Sequence, residues 1–315
     1  MASTPSFSSH KPRRASSERP AKPELPDSLA RWQKQRSVAL AELPSVEALV
    51  KLLKQLEVDT AKWGEGNTKT VGKLYGELVG QESEIEIWES PEGKLFPLRV
   101  THVLRAKVCS PESLKRNVFL FNTWQQFGDG RRRTRNGLLS EKLNITEIPI
   151  ENHLAEVCER AITQEEMQRL TDSTFMLDSD RPPPTYDPNY TCPLEVQEAI
   201  LVEHTIEVED SSSFPGLRTL YHLYTVDIIC NGLPGLDFNT LEFDGGDANG
   251  HRKLKYIHAW VWLDWAQIQR YLLEGSKMKE RRAKGSYDDC ESMRRWLSQF
   301  DLPFGEWGVG KFNSV

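Results

Sequence analysis

The order in which hydrophobic periodicities change along the chain limits its fold more than any single motif does. Leu98 to Val108 is dense in Val and Leu, and Asn117 to Phe127 carries Phe119, Phe121, Trp124 and Phe127, so both read as strands. A polar turn, Gly128-Asp129-Gly130, follows. The spacing then predicts a helix over about 149–170, on which Leu154, Val157, Cys158, Ala161 and Ile162 form one apolar stripe. Ala199 to Val208, Thr219 to Asn231 and Lys255 to Leu263 read as further strands, the last running into a helix from Asp264 to Leu273. Strand, strand, helix, several strands, helix predicts an α/β chain with a mixed sheet covered by helices.

What flanks this core is of a different texture. Residues 27–80 have a helical pattern. Apolar residues recur three and four apart from Val46 to Leu56 behind a Pro44-Ser45 start, and a second short helix fits Thr70 to Leu78. Neither helix could stand alone in water, so both are expected to brace the following domain. Residues 1–26 are rich in Ser, Pro, Lys and Arg, the composition of a disordered basic tail. The expected organisation is therefore a tail over 1–26, a helical extension over 27–92, the main domain over 93–275, and a C-terminal helix and tail over 276–315. That last helix is read from the capping pair Ser286 and Asp289 ahead of Met293, Trp296, Leu297 and Phe300. A long loop around Pro182-Pro183-Pro184, from about Asp172 to Thr191, is either disordered or functional.

Charge and cysteine usage exclude several function classes. The formal net charge is −6 over 315 residues, a basic tail of +3 joined to a body of −9, which disfavours general adhesion to nucleic-acid phosphate or anionic lipid. No apolar run approaches the roughly 18 residues of a membrane span. The five cysteines are widely spaced with no C-x-x-C pair, against a zinc knuckle or a thioredoxin-type motif. That sparse, odd set predicts reduced thiols in an intracellular, cytoplasmic protein. The Ser/Arg-rich start leaves organelle targeting open as the alternative.

The candidate chemistry lies on and around the acidic helix, where Glu151, Glu156, Glu159, Glu165 and Glu166 crowd together. Glu165 falls almost in line with the apolar stripe, where a carboxylate must reach solvent, a cation or a metal. Carboxylates beside a strand–loop suit Mg²⁺, a hard cation that prefers oxygen.

This stretch resembles the Nudix hydrolase family, whose signature is G-x5-E-x7-R-E-U-x-E-E-x-G-U, with U aliphatic. The order of elements agrees over roughly Leu95 to Glu274, and His258-Ala-Trp-Val-Trp-Leu-Asp264 is similar to the family's closing W-V-x-L-D segment. The run from Asp129-Gly130-Arg131 through Leu139-Ser140-Glu141-Lys142, with Phe214-Pro-Gly-Leu217 and Gly232-Leu-Pro234, is similar to a divergent Nudix-like group. The signature is eroded. With Arg160 on the motif arginine and Ile162 on the aliphatic site, Ala161 and Gln164 replace two glutamates and Glu165 keeps a third. Met167 stands where glycine is expected, and the upstream glycine is absent.

The resemblance implies a Nudix-like α/β/α sandwich with a mixed sheet, and Mg²⁺-dependent cleavage of a nucleoside diphosphate linked to another moiety. It implies Glu165, Glu166 and Glu151 as catalytic and metal-holding residues. With three signature positions for glutamate filled by Asn152, Ala161 and Gln164, the expected function is binding of a nucleotide-type or phosphate-bearing small molecule, or of a protein partner, with hydrolysis weak or absent and no metal required. The alternatives are an active Mg²⁺-dependent hydrolase and a structural subunit of an intracellular assembly. Arg131, Arg133 and Arg135 could grip phosphate, because guanidinium forks match its oxygens. The bland reading of these arginines is a solvated hairpin tip. Trp260 could stack on a base, against the commoner use of such a residue in a core. No P-loop, G-x-G-x-x-G or G-x-S-x-G is present, and the scattered histidines show no zinc spacing.

Overall fold

The computed structural model describes residues 23–66, 68–171, 191–245 and 250–273. The Pro-rich segment and the C-terminal helix expected from sequence lie outside them. The chain divides into two units, Met1–Ile268 and Gln269–Val315, and both sheets belong to the first.

Alternation writes the first sheet. Strand β1 (Gln33–Ser37) pairs antiparallel with β2 (Glu84–Glu89), which pairs antiparallel with β3 (Leu95–Cys109). In β3, Leu98, Val100, Leu104, Ala106 and Val108 point to one face and are buried. On its other side β3 runs parallel to β9 (Arg218–Asn231), from Leu98↔Arg218 to Cys109↔Ile229, and β8 (Glu195–Asp210) closes the edge antiparallel to β9. The short β6 (Leu139–Lys142) pairs with β3 over Val103–Ala106.

The second sheet is antiparallel throughout. Its order is β5 (Arg132–Gly137), β4 (Val118–Phe127), β11 (Leu254–Asp264), β10 (Phe238–Phe243) and β7 (Arg169–Thr171). The polar turn joins β4 to β5 as expected. A Cβ at Gly128 would stand 2.6 Å from the Leu254 carbonyl oxygen, and Gly130 has a φ of 86°, so this turn needs both glycines. β11 runs into a helix over 265–273.

The two N-terminal helices form as read, α1 (Val46–Gln55) capped by Ser45 and α2 (Val71–Val79) capped by Thr70. Their buried Leu49, Leu53, Leu74 and Leu78 pack with Ile85, Ile87, Phe214 and Leu217, so they do brace the first sheet. The stretch also holds β1 and β2, which the helical reading of 27–80 omitted. β1 is exposed at every position and shows no alternation to read.

A buried charge network ties α2 down. Arg99 on β3, 4% exposed, meets Glu77 on α2 at 3.0 Å and donates to Ser83 and Thr219 hydroxyls. Lys69 and Lys142 also reach Glu77, at 2.7 and 3.0 Å.

A single turn of helix, α3 (Pro111–Lys115), capped by Ser110, carries the chain from β3 to β4 and so from the first sheet to the second. Helix α4 (Leu154–Thr163) sits where the two sheets meet. Its stripe of Val157, Cys158, Ala161 and Ile162 is wholly buried, among Leu104 and Val226 of the first sheet and Leu120, Phe238 and Trp260 of the second. The architecture is mixed α/β with two sheets and more strand than helix, and among the described residues no helix is long and apolar enough to cross a membrane.

The sequence-predicted helix over 149–170 is longer than the real one. The backbone turns after Gln164, Met167 folds into the core, and β7 pairs with β10 through Leu170↔Thr240. Pairing with β10 wins over helical propensity at residues 169–171. Glu165 and Glu166 therefore stand beyond the helix end, not on its wheel.

Candidate functional site

The chain crosses from one sheet to the other at Leu138, between β5 and β6, and an open cleft of about 700 Å³ lies at that crossing. Its floor is one face of the second sheet. Register places Arg133 opposite Gln125, Gln125 opposite His258 and Tyr256 opposite Glu242, so polar side chains align across four strands. The other face of that sheet carries Leu241, Phe243, Leu254 and Ile257 with Trp124. Opposite the floor, β6 contributes Glu141 and Lys142, α4 contributes Arg160, and the turn after α4 contributes Glu165 and Glu166.

Most charges in the cleft are already paired. Arg135 Nη2 donates to Glu166 Oε1 at 2.7 Å, and Arg160 is bidentate on Glu147. Lys255 Nζ stands 2.5 Å from Glu242 Oε1, and Lys142 bridges Glu77 and Glu82. Glu242 Oε2 also meets the buried His258 Nε2 at 2.8 Å, whose Nδ1 faces Asn122. Burial alone would raise the Glu242 carboxyl. The His258 hydrogen bond and charge, with Lys255, hold it below the ordinary carboxylate range.

Three groups are left over. Arg133 donates through Nε to Gln125 at 2.6 Å and has no carboxylate partner among the described residues. Glu141 and Glu165 form no ion pair there either. Burial, with Glu165, Glu166 and Glu242 close by, pushes the Glu141 carboxyl up to about 8. Burial and then Glu242 raise Glu165. Burial also raises Glu166, which is 8% exposed and whose Oε2 has no hydrogen-bond partner among the described residues.

The sequence-predicted residues divide between this cleft and elsewhere. Glu165, Glu166, Arg133 and Arg135 meet in it. Glu151 does not line it. It is exposed on a single turn over Ile150–Asn152, and its charge acts on His204 and Tyr224 of the first sheet. Arg131 stays in the β4–β5 turn, 74% exposed and paired with Asp129 at 2.8 Å, because the turn precedes the strand that enters the floor. Trp260 is 1% exposed in the core under α4 and donates Nε1–H to Thr240 Oγ1 at 2.8 Å, so neither ring face is open to a base.

Mg²⁺ needs several oxygens in one near-octahedral shell. Among the described residues no three His, Cys, Asp or Glu side chains are placed to hold a metal ion, and Glu151 stands apart from Glu165 and Glu166.

No family model, curated protein or solved structure matches this chain. Its chemistry is therefore read from the cleft alone. Sequence reasoning missed Glu141, Lys142, Glu242 and Lys255. Glu242 had a signal: it is a lone charge within Phe238–Phe243, a strand buried at every position.

Proposed function

We propose that the cleft binds a phosphate-bearing, nucleotide-type small molecule, with diphosphate hydrolysis weak or lost. The observation that carries this reading is Arg133. It is an exposed guanidinium on the cleft floor with no ion pair to a carboxylate among the described residues, beside four further cations that are ion-paired. A phosphate oxygen pair matches its free fork.

The weakness of hydrolysis follows from the chain's own residues. In the register that puts Arg160 on the family's arginine, one of the replaced glutamates is Ala161, which is wholly buried in the core. Arg160 is committed to Glu147 and Glu166 to Arg135, and among the described residues no set of carboxylates is placed to share a divalent ion with Glu165. The chain would then bind what a hydrolase of this kind binds, without efficient activation of water. A protein partner and a place in an assembly are alternatives that would be met on other surfaces.

Calorimetry with ADP tests the reading. Binding is expected without added Mg²⁺, with Arg133→Ala weakening it about tenfold or more, the worth of one charge-assisted contact. Turnover of ADP-ribose is expected to stay at background with Mg²⁺ present. Mg²⁺-dependent release of AMP that Glu165→Gln abolishes would establish the active hydrolase instead.

A further inference from the structure

The leftover charges of the cleft have a second sign, and it narrows the ligand. Four of its five cations are spent on Glu166, Glu147, Glu242 and the Glu77–Glu82 pair. What remains is one guanidinium, Arg133, and two carboxyl groups that form no ion pair among the described residues, Glu141 and Glu165, whose nearest opposing charges, Arg160 and Lys255, are held by Glu147 and Glu242. The same wall adds Oε2 of Glu166, an acceptor with no hydrogen-bond partner among the described residues, in a residue 8% exposed. An acidic group in a half-buried wall with no ion-pair partner is costly to ionise unless something completes it. Among the described residues no three carboxylate, histidine or cysteine side chains converge to cage a metal ion. An organic cation needs no such cage, because an ammonium group directs three N–H donors to acceptors spread over a wider arc.

We infer that the ligand is zwitterionic: its phosphate lies on Arg133 and a primary ammonium group on the same molecule lies between Glu141 and Glu165. This rests on the phosphate-binding reading above and adds the class of the linked moiety, an amine. Glu141 is protonated at neutral pH when the cleft is empty, so seating an ammonium beside it expels that proton.

Aminoalkyl phosphates with two to six methylenes, each compared with the alkyl phosphate of equal length, provide the test by calorimetry on the full chain. At one chain length or more the amine is expected to tighten binding about tenfold, the scale of one half-buried ion pair. Glu141→Gln and Glu165→Gln are each expected to remove most of that gain, read within each variant as the ratio of aminoalkyl to alkyl phosphate affinity. The gain should also grow from pH 6 to pH 8, with proton release read from the buffer dependence of the heat. If alkyl phosphates bind through Arg133 and no amine adds affinity, the zwitterion is wrong and phosphate binding stands. If Mg²⁺ with an alkyl phosphate gives the same gain, lost in the same variants, the cation is a metal and the inference falls. If neither series binds, the phosphate-binding reading itself fails, and the amine reading with it.

Discussion

Glu77→Gln is the perturbation whose size the structure fixes best. Glu77 is 7% exposed on α2, with Arg99 at 3.0 Å and Lys69 and Lys142 on its oxygens. Burial works to raise its carboxyl, yet Arg99, Lys69 and Lys142 hold it at about 2 against an ordinary 4.5. That difference corresponds to about 3 kcal/mol in favour of the folded, charged form. Breaking a buried pair by removing one partner costs ~3–5 kcal/mol, so two independent routes agree. Because the folded value is the lower one, the contribution is complete above about pH 4.5 and fades as pH falls toward 2. Urea unfolding of wild type and variant should therefore differ by about 3 kcal/mol at pH 7 and by only about 1 kcal/mol near pH 3. A difference below 1 kcal/mol at pH 7, or one that does not change with pH, would refute the account of this network. Lys142 links the same network to the cleft, and loss of the Glu77 charge leaves it only Glu82, so the variant should tighten phosphate binding measured well below its unfolding midpoint.

Single contacts set the other expected outcomes. Arg131→Ala should leave phosphate affinity within about twofold of wild type in the calorimetric assay, since its guanidinium is spent on Asp129 in the exposed turn. Trp260→Phe should cost about 1–3 kcal/mol in urea unfolding, chiefly by leaving the buried Thr240 hydroxyl without its indole partner. His102, His204 and His222 lie together on β3, β8 and β9, with His204 Nε2 and His222 Nδ1 3.1 Å apart, Tyr224 on His102, and Glu151, Glu86 and Lys34 as the charges around them. Burial drives His102 down to about 3 and His222 to about 4. Their contribution is complete above about pH 6.5 and declines as pH falls toward those values, so His222→Gln should flatten the fall in stability between pH 6.5 and pH 4. An unaltered slope in that variant would count against the cluster as its source.

The five long or aromatic strands and the α4 stripe were legible because each has a period that only one secondary structure satisfies. Leu104, Ala106 and Val108 alternate, while Val157, Cys158, Ala161 and Ile162 recur at helical spacing. β1 and β7 were not legible, because an exposed edge strand and a three-residue strand have no burial pattern of their own and exist through their partners. The cleft was half legible. Arg133, Arg135, Glu165 and Glu166 were found by charge type. Glu151 was assigned to the same site because a helix from 149 to 170 would carry it there, and the helix begins only at Leu154. Glu141 could not be distinguished from a surface carboxylate without knowing that β6 leaves β5 for the other sheet. Sequence distance conceals that crossing.

The parallel seam between β3 and β9 joins residues some 120 positions apart in sequence. Every strand of the second sheet except β10 and β11, the whole of α4, and β8 are synthesised between its two halves. Closing so large a loop carries an entropic cost before its contacts reward it. The β4–β5 hairpin, with Arg133 and Arg135, can form locally, whereas the Glu242 and Lys255 side of the floor arrives only after the seam's second strand has left the ribosome. The cleft is therefore completed late by residues that follow β9, and a chain truncated after Asn231 would carry its guanidinium half without its Glu242–His258 half.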